Sequence, residues 1–583
     1  MKSTSDQKLS AVDPSRRLGT ICAVFPNRAM VNLGDAAARS GTNLYGHPLG
    51  TGQVGEFVLI GSDDQLLIGR MSSVRLVERD RLSINPVLDE RPSVDPIGEI
   101  DLLASLDCIT NAVIPGIENH PRLGSAVYSP APKLMAELIS EGGTPNAKLC
   151  VVLNLGSASG VPDSRVRVSP ERMFGRHCGI LGATGGGKSF TIAKLVEECS
   201  AHNGKALLID ATGEFYTQGD AAEHVSLGSP LHGESEVHLP FSALEEQDLY
   251  GLFQPSGKVQ GPKLREAIHS LRIAHILNST TDPTLIALRT ALQASGSLKG
   301  AQIIKAALAR KPFEDAMNAL RSRIELPNAG FDIQSLSLQV LNECIWATNF
   351  NDKSKFGGSD GNEAYCAPLV ARINAVVSGP DLRVVFESKG DSILDRIRLF
   401  LAGDGKVLRI SLATVPFSFH AREIVANALG RHLLALARSG SFKKRPLVVF
   451  LDEAHNFLNR NVGEEDGQIK LDAFDQVAKE GRKYWLSICL ATQRPRDLPE
   501  GVLSQMGTMI VHRLTNHRDR EVVERACGDI DRAAVAFLPT LAPGQAAIVG
   551  ADFPFPLTVT MDMPLHHPDS AGPDFQSTWK IKV

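Results

Sequence analysis

Between residues 18 and 78 apolar residues gather in short runs, GTICAV, AMVNL, GEFVLIG, QLLIGRM and SVRLVE, separated by Gly, Asn, Asp and Ser clusters. Short β-type runs at hairpin spacing predict a small barrel or meander. IGEIDLLASL (97–106) and GSAVYSPAP (124–132) offer further strands before a helix at KLMAELIS. The polar stretch GSASGVPDSR (156–165) has no period and reads as a connector, which sets a barrel unit at residues 1–165.

From residue 176 the pattern becomes fully apolar runs alternating with helical segments. HCGILG (177–182) precedes a helix over 188–202, and KALLID (205–210) follows. Further on come VLRISLA (407–413), the helix REIVANALGRHLLALAR (422–438), PLVVFLDE (446–453), a helix near 471–482, LSICLATQ (486–493) and GTMIVHRL (507–514). Buried strands alternating with helices predict an α/β fold with a parallel sheet covered on both faces. Over 258–380 strands nearly vanish. KLREAIHSLRIAHIL places Leu264, Ala267, Ile268, Leu271 and Ala274 at helical spacing, and LIALRTALQA, GAQIIKAALA, FEDAMNALRSRI and AYCAPLVARINAVV repeat that texture. The expected units are a barrel with connector (1–165), a first core part (166–257), an inserted helical bundle (258–380), a second core part (381–545) and a C-terminal brace (546–583).

Composition narrows the class. Of 583 residues 43% are hydrophobic and 22% charged, an ordinary globular balance. With 61 Lys+Arg against 65 Asp+Glu the formal charge is -4, so any nucleic-acid surface must be local. No apolar run approaches the roughly 18 residues that span a bilayer, and MKSTSDQKLSAVDPSRR lacks the apolar centre of a signal peptide. A cytoplasmic protein with no membrane partner is expected. The nine cysteines are scattered without C-x-x-C spacing, which favours buried free thiols over a disulfide framework or zinc site.

The chemistry concentrates in Gly182-Ala183-Thr184-Gly185-Gly186-Gly187-Lys188-Ser189, followed by Phe190. This G-x-x-x-x-G-K-S lies between an apolar run and a helix, where backbone N–H groups and the helix N-terminus cradle phosphates. Lys188 would neutralise the β- and γ-phosphates of a nucleotide and Ser189 would ligate Mg²⁺. The strand Pro446–Leu451 ends in Asp452 and Glu453, placing Asp452 at the metal and Glu453 as general base toward water. Gln493 ends another strand. It is either a sensor touching the γ-phosphate and water or a capping residue. Arg482 is either a cation reaching a neighbour's nucleotide or an exposed side chain favoured by its helix terminus.

Together these segments resemble the HerA branch of the HerA/FtsK superfamily of ring ATPases. The resemblance rests on RHCGILGATGGGKS (176–189), DATGEF (210–215), VVFLDEAHNF (448–457), EGRKYWLSICLATQRPRDL (480–498) and RLTNHRDR (513–520). It implies an N-terminal β-barrel, a RecA-like P-loop core interrupted by a helical bundle, and a C-terminal tail bracing the next subunit. It further implies a homo-hexamer that uses ATP and Mg²⁺ to translocate double-stranded DNA, with a nuclease or sirtuin-like NADase effector docked on the barrel face, in some relatives for anti-phage defence. On this resemblance Arg482 is the trans-acting arginine, Gln493 the sensor and Arg176 a second cation near a nucleotide. Asp210 and Glu214 match an acidic pair that is either structural or linked to Mg²⁺, and Asn516 and Asp519 match the last core motif or cap their loop. The chain departs from the pattern at Ala211 and Thr212, where Pro and His are usual. The stretch 459–470 is either a channel loop or an ordinary surface loop. Two other readings share the core: an ATP-binding ring scaffold that gates an effector, and a transport ATPase of a secretion system.

Overall fold

The computed structural model describes residues 13–37, 43–44, 47–48, 51–61, 65–76, 95–107, 113–140, 151–159, 161, 164–219, 222–327, 329–386, 390–458, 460–462, 469–527, 532–550, 553, 555–570, 572 and 574–579. The N-terminal strands close on themselves. Around the barrel run Arg28–Asn32, Arg17–Val24, Ala126–Tyr128, Phe57–Gly61, Gln65–Arg75 and Ile97–Asp107, which pairs back onto Arg28–Asn32. Closure leaves no free edge among these six antiparallel strands, and Leu18, Val31, Val58, Ile60, Met71, Ile100 and Val127 fill the interior. The barrel seats on the core through Arg70, whose guanidinium lies 4.6 Å from the Phe537 ring and 3.3 Å from Thr558 Oγ1.

The core is one thirteen-stranded sheet. Its parallel part runs in the order Thr508–His512, Cys178–Leu181, Leu486–Thr492, Leu447–Leu451, Lys205–Asp210, Val407–Ser411, Ala222–Leu227, Ser235–His238 and Asp391–Ser392. The central strands are buried on both faces, which is why they read as unbroken apolar runs. Parallel strands bring their carboxyl ends to one edge of the sheet. Asp210 ends such a strand and Gly182, Asp452 and Gln493 each follow one, so residues hundreds of positions apart meet there.

The helical insertion opens with Gly257–Ser279 and continues through Pro283–Ala294, Lys311–Ile324, Leu336–Asn342, Glu363–Ser378 and Pro380–Phe386. GAQIIKAALA does not form the expected helix. Its backbone is diverted into a two-residue strand, Gln302–Ile303, because the Gln339 amide takes both the N–H (3.0 Å) and the carbonyl (2.8 Å) of Ile303, and Lys305 is drawn to Glu343 at 2.6 Å.

Two other sequence readings change. The supposed connector contains parts of two core strands, Leu153–Ala158 and Arg165–Val168, whose polar texture follows from their place at the sheet's antiparallel edge. The C-terminal segment also packs on its own subunit: Gln545–Val549 pairs antiparallel with Thr508–His512, and Leu557–Met561 pairs antiparallel with Gln545–Val549. Cys22 is exposed, lifted at the register shift between Ile21 and Ala23, whereas Cys178, Cys199, Cys344, Cys366 and Cys489 are buried thiols. Most of the candidate channel loop 459–470 lies outside the described residues. Among the described residues no helix is long and apolar enough to cross a membrane.

Candidate functional site

The phosphate loop hangs between two strand ends. Gly182 N–H donates to the Thr492 carbonyl at 3.3 Å and Ala183 N–H to the Arg513 carbonyl at 3.0 Å. Gly187, at φ 112, caps the helix Lys188–Ala201, a conformation that suits glycine. A side chain at Gly182 would bring its Cβ within 2.6 Å of His512 Cβ, so this glycine is required by close approach.

His512 is the residue that sequence reasoning missed. Its Nδ1 lies 3.0 Å from the Gln545 carbonyl, which only accepts, so Nδ1 carries the proton. Nε2, 2.9 Å from Thr191 Oγ1, then accepts from that hydroxyl. Burial lowers the His512 pKa to about 4, so the ring works as a neutral pin between the first turn of the P-loop helix and the antiparallel strand. A polar residue ending an apolar strand was its sequence trace, one shared with many ordinary caps.

Lys188 is buried, with Nζ 3.2 Å from its own loop's Ala183 carbonyl. Desolvation lowers its pKa, opposed by Glu453, Asp452 and Glu214. Those acids converge on the loop from two other strands. Asp452 is buried and its pKa is raised well above the usual range by desolvation and by Asp210, Glu214 and Glu453. Glu214 shares a hydrogen bond with Ser189, and desolvation raises its pKa. The set Ser189, Asp452 and Glu214 consists of hard oxygen donors around a buried, uncompensated carboxyl, which fits Mg²⁺. Thr212, one of the two departures from the usual pattern, sends its hydroxyl toward Asp452 Oδ2 at 3.4 Å.

Asp210 is differently placed. Its oxygens accept from the backbone of Thr212 (3.2 Å), Gly213 (2.7 Å) and Phe215 (3.1 Å) and from Arg409 Nε (2.8 Å). Arg409 also holds Glu234 Oε1 at 3.1 Å and the Gly213 carbonyl at 3.1 Å, all buried. This network shapes the DATGEF loop from within.

Glu453 stands in the left-handed region at φ 47, ψ 46, which turns its side chain back over the strand end. Its Oε1 accepts from Gln493 Nε2 at 2.6 Å, and Gln493 Oε1 accepts from the Thr184 hydroxyl. Glu453 Oε2 lies 3.2 Å from His455 Nδ1, and that nitrogen is also 3.2 Å from Thr492 Oγ1. His455, also overlooked in the sequence, lies beside the acid and bonds Thr492, leaving Glu453 Oε2 buried without a hydrogen-bond partner among the described residues.

Two cations are not brought to this loop. Arg482, in the turn Gly481–Tyr484, and Arg176 are both exposed at the amino ends of the strands. A seven-residue strand, Leu486–Thr492, separates Arg482 from Gln493, about 20 Å at strand rise, beyond the reach of an arginine. Asn516 accepts from the Arg518 N–H at 2.9 Å and Asp519 faces Arg496, so both shape their own loop. Phe190 packs against His567 of the C-terminal segment at 5.6 Å between ring centres.

A phosphate loop on a parallel sheet, faced by two strand-end acids and a strand-end glutamine, defines a P-loop ATPase. The family described as helicase HerA, central domain, matches residues 153–342, and the helicase HerA-like C-terminal family matches residues 429–535, together just over half of the chain. The chain belongs to the HerA-type P-loop ATPases. It is 23% identical to the DNA double-strand break repair helicase HerA of Pyrococcus furiosus, over 87% of each chain. It is equally 23% identical to that of Saccharolobus solfataricus, over 70% of this chain and 68% of the relative. Among solved structures, VirB4 of Thermoanaerobacter pseudethanolicus aligns with TM-score 0.41 and 14% identity, over 72% of this chain and 97% of VirB4. The plasmid coupling protein TrwB in complex with ADP and Mg²⁺ aligns with TM-score 0.39 and 15% identity, over 74% of this chain and 93% of TrwB.

Proposed function

We propose that this chain is an Mg²⁺-dependent, ATP-driven motor acting on double-stranded DNA. It works as a homo-hexameric ring in the cytoplasm with a nuclease or NADase-type effector docked on its barrel face, and anti-phage defence is the role this arrangement suits. The observation that carries the reading is the Gln493 amide, bonded at once to Thr184 of the phosphate loop and Glu453 of the acid pair. One side chain thereby joins the groups that meet the γ-phosphate and the attacking water. The DNA substrate is supported by the names of the HerA relatives, which are double-strand break repair helicases.

The backbone amides of Gly182–Ser189 bind the triphosphate and Lys188 balances its charge. Ser189 and Asp452 hold Mg²⁺, which when bound neutralises charge on the phosphate oxygens. Glu453 takes the proton of the attacking water, and Gln493 fixes that carboxylate relative to the loop. Arg482, facing away from its own loop, serves the adjoining subunit's nucleotide, which makes a ring the working unit.

The test is ATP binding and hydrolysis with and without long duplex DNA. Lys188→Ala should lose nucleotide binding, Glu453→Gln should bind ATP and stall, and duplex DNA should stimulate the unmodified protein. Both variants hydrolysing normally would overturn the site. Stimulation only by a co-purifying partner would favour the scaffold over the motor.

A further inference from the structure

His177 immediately precedes the phosphate-loop strand and lies outside the machinery described so far. It is buried in the left-handed region at φ 82, where a non-glycine residue persists only if its surroundings hold it. They hold it on every side. Its N–H donates to the Phe174 carbonyl at 3.3 Å and its carbonyl accepts from the Gly507 N–H at 3.2 Å. Its ring Nδ1 accepts from the Ile488 N–H at 3.1 Å, so the proton of the neutral ring sits on Nε2, which faces the Ala478 backbone. Burial, with Arg482 adding repulsion, depresses its pKa to about 4, which keeps the ring neutral, and the Ile488 N–H on Nδ1 selects this tautomer.

The three elements meeting at this ring are the ones the ATP site depends on. Cys178–Leu181 runs from His177 into Gly182. Leu486–Thr492, held at Ile488, runs into Gln493. Ala478 belongs to the helix Ala473–Glu480, whose next turn carries Arg482. That turn is itself tightly built: a side chain at Gly481 would bring its Cβ within 2.6 Å of the Leu486 carbonyl, and the Trp485 carbonyl accepts from the Leu447 N–H at 3.1 Å.

We infer that His177 is a positioning residue that fixes the Arg482 turn to the phosphate-loop and Gln493 strands of its own subunit. Any shift of those strands as ATP is bound or cleaved is passed through one imidazole to the cation offered to the next subunit. The inference rests on the proposed trans role of Arg482.

The experiment is steady-state ATPase of the full-length ring, with nucleotide binding measured separately, for His177→Ala, Arg482→Ala and the double variant. Arg482→Ala should lower kcat by about 10³-fold. His177→Ala should lower kcat with ATP binding retained, and the double variant should be no slower than Arg482→Ala alone. Two losses that multiply would overturn the inference by showing independent roles. Normal hydrolysis by Arg482→Ala would remove the trans reading and this inference with it, whereas loss in Arg482→Ala beside an unaffected His177→Ala would remove this inference alone. Two further variants guard against a folding defect. His177→Gln keeps a donor toward Ala478 and should retain more activity than His177→Asn, which keeps only an acceptor toward Ile488; the reverse order overturns the inference.

Discussion

Gln493 Nε2 donates to Glu453 Oε1 at 2.6 Å, joining the ends of two neighbouring strands beside Thr184 of the phosphate loop. Removing the amide frees the acid to rotate and unlinks it from Thr184. Gln493→Ala is expected to lower kcat by about 10²-fold, the low end of what a positioned base contributes, while ATP affinity stays within a few-fold. Single-turnover hydrolysis with a binding titration checks this, and a change in affinity alone would contradict it.

His512 pins the P-loop helix to the antiparallel strand through Thr191 and Gln545. His512→Ala leaves the Gln545 carbonyl and Thr191 without that partner and opens space beneath three loop glycines. The expected result is weaker ATP binding, on the order of 10-fold, and about 1–3 kcal/mol of lost stability. Isothermal titration and chemical unfolding read the two effects separately.

Both His177 and His512 have folded-state pKa values of about 4, below the ordinary value of 6.5. Unfolding therefore takes up protons at these sites between those values. Their contribution to stability is complete above pH 6.5 and is lost as pH falls toward 4, with a slope of up to about 1.4 kcal/mol per pH unit for each histidine. Urea unfolding from pH 7 to pH 4.5 should show this loss, and a variant lacking one histidine should show a shallower slope.

Arg409 is fully buried between Asp210 and Glu234. Against desolvation, the backbone amides of His232 and Glu234 and the Arg409 guanidinium hold the Glu234 pKa down to about 2. Arg409→Met strands two buried carboxylates and should cost about 3–5 kcal/mol, a fall in Tm of about 3–6 °C for a chain of this size. Adding Asp210→Asn should recover part of the loss, because it removes one stranded charge.

What could be read along the chain was chemistry that demands fixed residue types at fixed spacing. Gly182–Ser189 and the acids after Leu447–Leu451 are local patterns, and the buried strands announce themselves because both faces must be apolar. Gln493 and Arg482 stood out only as candidates, since strand-end amides and helix-end cations are common. The tertiary structure decided what depends on partners far away in sequence. It closed the barrel by pairing Arg28–Asn32 with Ile97–Asp107 and turned the C-terminal segment back onto its own sheet. It refused GAQIIKAALA a helix because Gln339 claims Ile303. It gave His512 and His177 their roles by surrounding each with backbone groups from other strands, since a histidine's function lies in which two groups its nitrogens meet, and no local pattern encodes that.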